Sequence, residues 1–186
     1  MLTNAQAETH LNSALAAIRE TSDWRSILDR LPVPIYTVDA HGAVTYWNQA
    51  CVDFAGRQPK LGKDRWCITW KTYTTTGTPL PHDQCSIADA VRARRAIRDV
   101  VAVALKPDGS RVAFTAYPTP LFDKDGEFKG AINMLIDVSE EQCAALADQA
   151  NRCRRLAGAT YDRQICEVLG TMAEGYDRTA ADLRAA

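Results

Sequence analysis

Three short turns that combine aspartate and glycine constrain this chain more than any other feature of its sequence. They occupy residues 39–42, 107–109 and 124–126, and each separates two runs rich in strand-forming residues. Glycine tolerates positive φ in such turns, and aspartate accepts hydrogen bonds from its own backbone. The pattern predicts three hairpins, so an antiparallel sheet should form the centre of the fold.

The runs that flank these turns predict the strands of that sheet. Pro118 and Pro120 lie near the end of one run, and each removes a backbone N–H that a sheet ladder uses. That strand is therefore expected to be bulged or unpaired near its end. The predicted strands are residues 35–39, 44–47, 97–106, 111–122 and 128–137.

The long connection between the second and third predicted strands contains two short helix patterns. Asn48 can cap a helix that runs through Phe54, because asparagine favours the position before the first helical turn. Asp83 can cap a second helix over residues 84–93 for the same reason. The predicted order of elements is two strands, helices and three further strands.

The N-terminal part of the chain predicts an amphipathic helix over residues 4 to about 30. Leu11, Leu15 and Ile18 recur at i, i+4 and i+7, which places them on one helical face. The Ser-Asp pair at residues 22–23 can cap a second segment, so a break is expected there. One small domain cannot easily cover such a stripe, and this predicts a homodimer interface through these three residues.

The C-terminal part of the chain predicts two further helices. Ser139 and Gln142 have the spacing of a capping box, with the hydroxyl at the N-cap and the amide at the third helical position. Apolar residues then recur over residues 143–157 at the spacing of a short coiled-coil seam. Asp162 can cap a final helix. We expect either a helical hairpin or an extension that pairs with a second chain.

The order of these elements resembles the PAS family of sensory domains. The resemblance includes the first hairpin, residues 35–50, and the closing strand with its Asp-x-Ser ending, residues 130–140. It implies an α+β fold: a five-stranded antiparallel sheet with helices on one face. The implied division is an N-terminal helix (1–31), a PAS domain (32–138) and a C-terminal helical extension or hairpin (139–186).

The resemblance also implies a ligand pocket between the sheet and the connecting helices. Strand alternation places Asn133 and Leu135 on one face and Ile132 and Met134 on the other. A buried Asn133 must be hydrogen-bonded, either to a ligand or to the backbone. The alternative is that all of the candidates simply fill the core. The candidate pocket residues are Trp66, Trp70, Tyr73, Ile87, Val91, Phe114, Tyr117, Asn133 and Leu135.

Asp137 and Ser139 match the Asp-x-[Ser/Thr] junction that joins a PAS domain to its effector. In the family this aspartate couples the last strand to the following helix, often through an ion pair. The resemblance therefore implies a signal-relay role for both residues. The alternative is that they only end the strand and cap the helix.

The remaining motifs do not indicate a cofactor or an enzyme. Cys67, His82 and Cys85 offer haem or zinc donors, but a fourth zinc donor is missing and the helix before the third predicted strand has no histidine. No metal site is expected, and the cofactor stays unknown. The flavin-binding motif Asn-Cys-Arg-Phe-Leu-Gln is absent. Histidines occur only at positions 10, 41 and 82, and no phosphate-binding loop is present, so an enzyme is not expected.

The net charge and the hydropathy of the chain limit the partners and the cellular location that we expect. A net charge of −1 gives no global field toward nucleic acid or anionic lipid. No apolar run is long enough to span a membrane, and no secretion signal is apparent, which predicts a cytoplasmic protein with reduced thiols. The resemblance to the PAS family implies that the protein is bacterial. The expected function is a signal-sensing module that binds a small molecule, a partner protein carrying the output function, or both. The alternatives are a ligand-free interaction module that dimerises and a haem or metal sensor.

Overall fold

The computed structural model describes residues 4–184, with side chains from residue 6 onward. The helices are α1 (Asn4–Glu20), α2 (Trp24–Leu28), α3 (Gln49–Ala55), α4 (Ser86–Ala93), α5 (Ser139–Gly158) and α6 (Arg163–Arg184). The strands are β1 (Ile35–Val38), β2 (Val44–Trp47), β3 (Lys71–Tyr73), β4 (Val100–Leu105), β5 (Arg111–Ala116), β6 (Thr119–Phe122) and β7 (Phe128–Asp137). A 3₁₀ turn, His82–Gln84, precedes α4.

The strands form one antiparallel sheet in the order β2-β1-β7-β5-β4-β3, and β6 also pairs with β7. The α+β class and the three hairpins are confirmed, and β2 and β7 have the predicted bounds. The sheet has seven strands rather than five. One addition, β3, is only three residues long and carries no alternation that a sequence could show.

The second additional strand, β6, arises because the predicted strand 111–122 is broken at the prolines, which were expected to disturb its backbone hydrogen bonds. Residues 111–122 divide into β5 and β6 at Pro118, whose missing N–H interrupts the pairing with β7. The Tyr117 amide still donates to the Met134 carbonyl at 2.9 Å, and the Pro118 carbonyl accepts from Ile97 at 3.2 Å. Strand β4 starts later than predicted because Asp99 has a φ of +61°, which ends the extended backbone before Val100.

The sheet has an inner face and an outer face, each with its own helices. The inner face packs against α3 and α4, and the outer face packs against α1 and the α5–α6 hairpin. Alternation along β7 places Asn133 and Leu135 on one face and Ile132 and Met134 on the other, as predicted, and the structure shows that the first pair faces inward. The inner core includes Tyr36, Val38, Phe54, Ile87, Val91, Phe114 and Leu135. The outer clusters include Leu11, Ile35, Ile132, Met134, Val103, Ala113, Cys143, Leu146 and Leu183.

Helix α1 lies on the outer face of its own sheet. The predicted break at residues 22–23 is confirmed, since α1 ends at Glu20 and α2 begins at Trp24. Leu11 is fully buried, and Leu15 and Ile18 are half-buried against the same outer cluster. The premise that one chain leaves this stripe uncovered is therefore wrong, because the outer face of the sheet covers it.

Two predicted helix caps are replaced by other contacts. Asn48 precedes α3, but its side chain makes no cap bond. Its Oδ1 accepts from the Ile35 amide at 3.1 Å, and its Nδ2 donates to the Val33 carbonyl at 2.9 Å. Asp83 lies within the 3₁₀ turn, and α4 begins only after Cys85. In each case another contact replaces the local cap. A tertiary contact occupies the side chain of Asn48, and Asp83 lies in a tight 3₁₀ turn.

The C-terminal helices form a hairpin within the chain. Asp162 caps α6 as predicted, since its Oδ1 accepts from the amides of Gln164 and Ile165 at 2.9 and 3.2 Å. Cys143 and Leu146 of α5 and Leu183 of α6 pack on the outer side of β4 and β5. None of the helices within residues 4–184 has the length and apolar content to cross a membrane.

Candidate functional site

A small cavity of about 20 Å³ lies between the inner face of the sheet and the segment that leads into α4. That volume suffices for one water molecule when polar partners are present. The lining contains hydroxyl, thiol and amide groups but no charged side chain. The lining residues are Tyr36, Cys67, Thr72, Leu80, Cys85, Ser86, Val100, Ala102, Phe114, Ala116 and Asn133.

Tyr36 and Asn133 form the polar centre of this cavity. They face each other directly in the β1–β7 ladder. The Tyr36 hydroxyl donates to the Trp66 carbonyl at 3.0 Å and accepts from Asn133 Nδ2 at 3.0 Å. Burial raises the pKa of Tyr36 well above its usual value, so this hydroxyl stays protonated at neutral pH.

The amide oxygen of Asn133 has no hydrogen-bond partner among the described residues. Its side chain is buried, with the residue only 2% exposed. A buried acceptor without a donor costs roughly 1–3 kcal/mol. The cavity therefore offers an unused acceptor to any small donor that enters it.

Two thiols line the same cavity. Cys67 Sγ lies 3.1 Å from Thr69 Oγ1, which in turn lies 3.0 Å from Thr72 Oγ1 and 3.5 Å from His82 Nε2. Burial, followed by the neighbouring Cys67, raises the pKa of Cys85 to about 12. Cys85 is therefore a neutral thiol at physiological pH.

Several predicted pocket residues lie at or around this cavity. Phe114 and Asn133 line it directly. Trp66 contributes its carbonyl to Tyr36, and its ring packs against the inner core. Ile87, Val91 and Leu135 belong to that core without lining the cavity, which agrees with the alternative that they fill space.

Three predicted pocket residues lie elsewhere. Tyr117 belongs to the outer cluster and Tyr73 packs beside the α5–α6 hairpin. Phe114 and Tyr117 are three positions apart, so strand alternation directs them to opposite faces. Trp70 is 46% exposed and contributes to a surface groove beside His82.

Sequence reasoning did not single out Tyr36, Thr72 or Thr69 as site residues. Tyr36 and Asn133 are far apart in the chain, and their pairing depends on the first and last strands becoming neighbours. The alternation of β7 pointed to Asn133, but nothing local identified its partner. Thr72 lies on β3, which the sequence did not predict.

The relay residues lie where β7 continues into α5. Asp137 Oδ1 accepts from the Ser139 amide at 2.9 Å, and within residues 4–184 no ion pair to Asp137 is found. The Ser139 hydroxyl accepts from the Ala113 amide at 3.0 Å rather than capping α5, so the predicted capping box is wrong. Val138 donates to the Ala113 carbonyl at 2.8 Å. The start of α5 is thus fastened to β5.

The site residues do not form a metal centre. Among the described residues, no three histidine, cysteine, aspartate or glutamate side chains converge. His82 faces Thr69 rather than Cys85. A cavity of about 20 Å³ also does not hold a haem or a flavin unless the surrounding segments move.

Comparison with known proteins relates this fold to a known family. The family model described as the PAS fold matches residues 28–142, which is more than half of the chain. No curated protein matches the chain. The LOV protein of Rhodobacter sphaeroides is similar in structure, with 17% identity over 94% of this chain and 96% of its own, at a TM-score of 0.50.

Two further solved structures are similar to this chain. An RNA-binding light-oxygen-voltage receptor has 18% identity at a TM-score of 0.50, and the match covers 82% of this chain and 40% of that receptor. The PAS domain of BvgS from Bordetella pertussis has 24% identity over 61% of this chain and 81% of its own, at a TM-score of 0.43. The sheet order, the connecting helices and the family match agree, and the chain belongs to the PAS family.

Proposed function

We propose that this chain is a signal-sensing module that binds a small uncharged molecule in the inner cavity and transmits the change to α5 and α6. The unpaired amide oxygen of Asn133 carries the proposal, because it is a buried acceptor on a side chain that lines the cavity. Asn133 and Asp137 lie on the same strand, β7. A hydrogen bond formed at Asn133 therefore acts on the strand that leads directly into α5.

The lining of the cavity defines the chemistry of the ligand. No charged side chain contacts the space, so a charged ligand would enter without a counter-charge. Asn133 Oδ1 requires a hydrogen-bond donor, while Tyr36 already donates to Trp66. A ligand larger than one or two water molecules requires Leu80 and the start of α4 to move outward.

The relay uses the fastening of α5 to the sheet. Ser139 and Val138 both bond to Ala113 of β5, so a shift of β7 against β5 changes the angle at which α5 leaves the sheet. Ligand binding would then shift a two-state equilibrium between two positions of the α5–α6 hairpin. We propose residues 1–31, 32–138 and 139–186 as input helix, sensory domain and output hairpin.

The output surface is proposed on the hairpin. Ile165, Val168 and Met172 of α6 are each at least 45% exposed and recur at helical spacing. Exposed apolar side chains in such a row indicate a protein interface. A homodimer or a partner protein with the output function would cover them, and the net charge of −1 favours a protein over nucleic acid.

The cellular setting of this proposal is a bacterial cytoplasm. All six cysteines are free thiols in the structure. Reduced thiols persist in the cytosol, whereas oxidising compartments favour disulfides. The proposed role is sensory, without catalytic turnover of a substrate, and the support for it is the PAS fold.

The relay is tested by a double-mutant cycle between Asn133→Leu and Asp137→Ala. Hydrogen exchange is measured over residues 140–157 for the parent, both single variants and the double variant. We expect the two effects on exchange to be non-additive, because both residues act through β7. Additive effects would show that the cavity and the junction are independent, and the relay would be abandoned.

Ligand binding is tested by native mass spectrometry of the protein as purified from cells. A bound mass in the parent that is lost in Asn133→Leu supports the proposal, with Leu135→Met as a control that alters the same strand without removing the acceptor.

Val168→Glu tests the interface, with half-buried Leu15→Gln as its matched comparison on α1. Light scattering should show loss of self-association only for Val168→Glu.

The second candidate function is an interaction module that binds no ligand. The small size of the cavity and the exposed row on α6 favour it. It predicts no bound mass and normal self-association. That result, combined with additive exchange effects, would replace the sensory proposal by this one.

A further inference from the structure

A continuous chain of polar side chains connects the cavity to the surface. It starts at Cys67 Sγ, passes Thr69 Oγ1 at 3.1 Å, and reaches His82 Nε2 at a further 3.5 Å. Cys67 and Thr69 are buried, whereas His82 is half-buried beside a surface groove. This series of side chains therefore gives the buried Cys67 thiol a route by which its proton can reach the surface.

The hydrogen-bonding capacity of Thr69 fits one direction of transfer. In the arrangement that permits transfer, its hydroxyl accepts from the Cys67 thiol and from the Thr72 hydroxyl at 3.0 Å, which leaves its own proton for His82 Nε2. Burial lowers the pKa of His82, followed by the charge of Arg57; Asp64 and Asp83 oppose them more weakly. His82 is then a neutral base at physiological pH, able to accept that proton.

A second thiol completes the arrangement. Cys85 lines the same cavity as Cys67, and Cys67 is close enough to contribute to the raised pKa of the Cys85 thiol. The remaining polar groups at this space are uncharged, and Asn133 Oδ1 there has no donor. Cys51, by contrast, lies in the same core but does not line the cavity, and its Sγ donates to the Ile35 carbonyl at 3.2 Å.

We propose that Cys67 and Cys85 are a redox-sensing thiol pair that hydrogen peroxide oxidises to a disulfide inside the cavity. The inference rests on the proposed sensory role of this cavity and names the class of signal, a small hydroperoxide. Hydrogen peroxide is uncharged and donates hydrogen bonds, so it satisfies the unused acceptor of Asn133. Cys67 is the attacking thiol and Cys85 resolves the product.

The chemistry takes place in two balanced steps. In the first, Cys67 transfers its proton through Thr69 to His82, and its sulfur attacks one peroxide oxygen as the O–O bond breaks. The departing hydroxide takes the proton back and leaves as water, so Cys67 becomes a sulfenic acid. In the second, the Cys85 sulfur displaces the hydroxyl of that sulfenic acid, which forms the S–S bond and a second water. Two thiols lose two electrons, and one peroxide is reduced to two waters.

The first test treats the whole chain with a small excess of hydrogen peroxide, quenches free thiols by alkylation, and maps the digested peptides by mass spectrometry. We expect one disulfide, between Cys67 and Cys85. In Cys85→Ser, oxidation should stop at Cys67 as a sulfenic acid that dimedone traps. In Cys67→Ser no disulfide should form, while Cys51→Ser, the matched buried control, should behave as the parent.

The second test isolates the base. His82→Gln keeps a hydrogen-bonding side chain but cannot hold the proton, and a positioned base accelerates such steps by roughly 100-fold or more. Disulfide formation at pH 7 should slow by about that factor. The parent rate should also fall as pH drops below the pKa of His82, and the variant should lack this feature.

The outcomes separate this inference from the proposed function. A disulfide that joins other cysteines, or oxidation confined to the partly exposed Cys166, overturns the thiol pair. An unchanged rate in His82→Gln overturns the proton route. If no Cys67–Cys85 disulfide forms but the Asn133–Asp137 exchange effects are non-additive, the sensory function stands and this inference fails. If the disulfide forms and exchange at residues 140–157 does not respond, the inference stands and the relay fails.

Discussion

The two faces of the sheet differ in the chemistry of their buried side chains. On the outer face, Ile132 and Met134 pack against α1 in a filled apolar cluster. On the inner face, Asn133 and Tyr36 place polar groups beside a cavity with an unused acceptor. The same ten-residue strand, β7, contributes to both faces, and along this strand the two faces differ by the alternation of its side chains.

This difference separates stability from response. The outer face gains free energy from close packing, and packing tolerates little change in volume. The inner face holds a buried acceptor without a donor, Asn133 Oδ1, so a ligand that donates a hydrogen bond can satisfy it. Because β7 belongs to both faces, a change on the inner side displaces a strand against which the flanking helices are packed.

The largest expected effect is on the outer face. Met134→Ala should lower the free energy of unfolding by about 3 kcal/mol, because Met134 is fully buried and its removal leaves a cavity under α1. Urea denaturation measures this change. Val168→Ala, at an exposed position on α6, is the control and should change stability by less than about 0.5 kcal/mol. Equal effects would mean that α1 does not lie on this face.

A smaller loss is expected on the inner face for Tyr36→Phe. Loss of the hydroxyl leaves both the Trp66 carbonyl and Asn133 Nδ2 without a partner, at a cost of about 2 kcal/mol. The matched variant on the outer face is Tyr46→Phe, whose hydroxyl donates to exposed Asp29 at 2.7 Å. Water can replace that bond, so thermal melting should show the smaller loss for Tyr46→Phe.

The junction between the faces should respond still more weakly. Ser139→Ala removes the acceptor of the Ala113 amide and should cost about 1 kcal/mol. Asp137→Ala should cost less, because Asp137 is exposed and loses one bond to the Ser139 amide. Chemical denaturation ranks the two variants. A larger loss for Asp137→Ala would show that the local turn, rather than the bond to β5, holds the start of α5.

The smallest effect on stability is expected for Asn133→Leu. The substitution loses one donor to Tyr36 but also removes the unpaired Oδ1, so the free energy of unfolding should stay within about 1 kcal/mol of the parent. Asn133→Asp is the contrast, since a buried carboxylate without a counter-charge is strongly unfavourable. A large loss in Asn133→Leu would mean that Oδ1 holds a structural water that the fold requires.

Much of the architecture follows from local patterns. The bounds of β2 and β7, the alternation of Asn133 and Met134, and the Asp162 cap were all predicted correctly, because each depends on neighbouring residues. The caps assigned to Asn48 and Ser139 failed for the opposite reason. Their side chains bond to Ile35 and Ala113, which are distant in sequence and become neighbours only when the sheet forms.

The sequence by itself determined the antiparallel class, the three hairpins and the period of the longer strands and helices. Only the tertiary structure decided which face of β7 meets α1, that α1 covers its own sheet, and that Tyr36 lies opposite Asn133. It also brought Cys67, Thr69 and His82 into one polar chain. The physical reason is that periodicity and turn chemistry act over a few residues, whereas these contacts depend on the packing of segments that the chain separates.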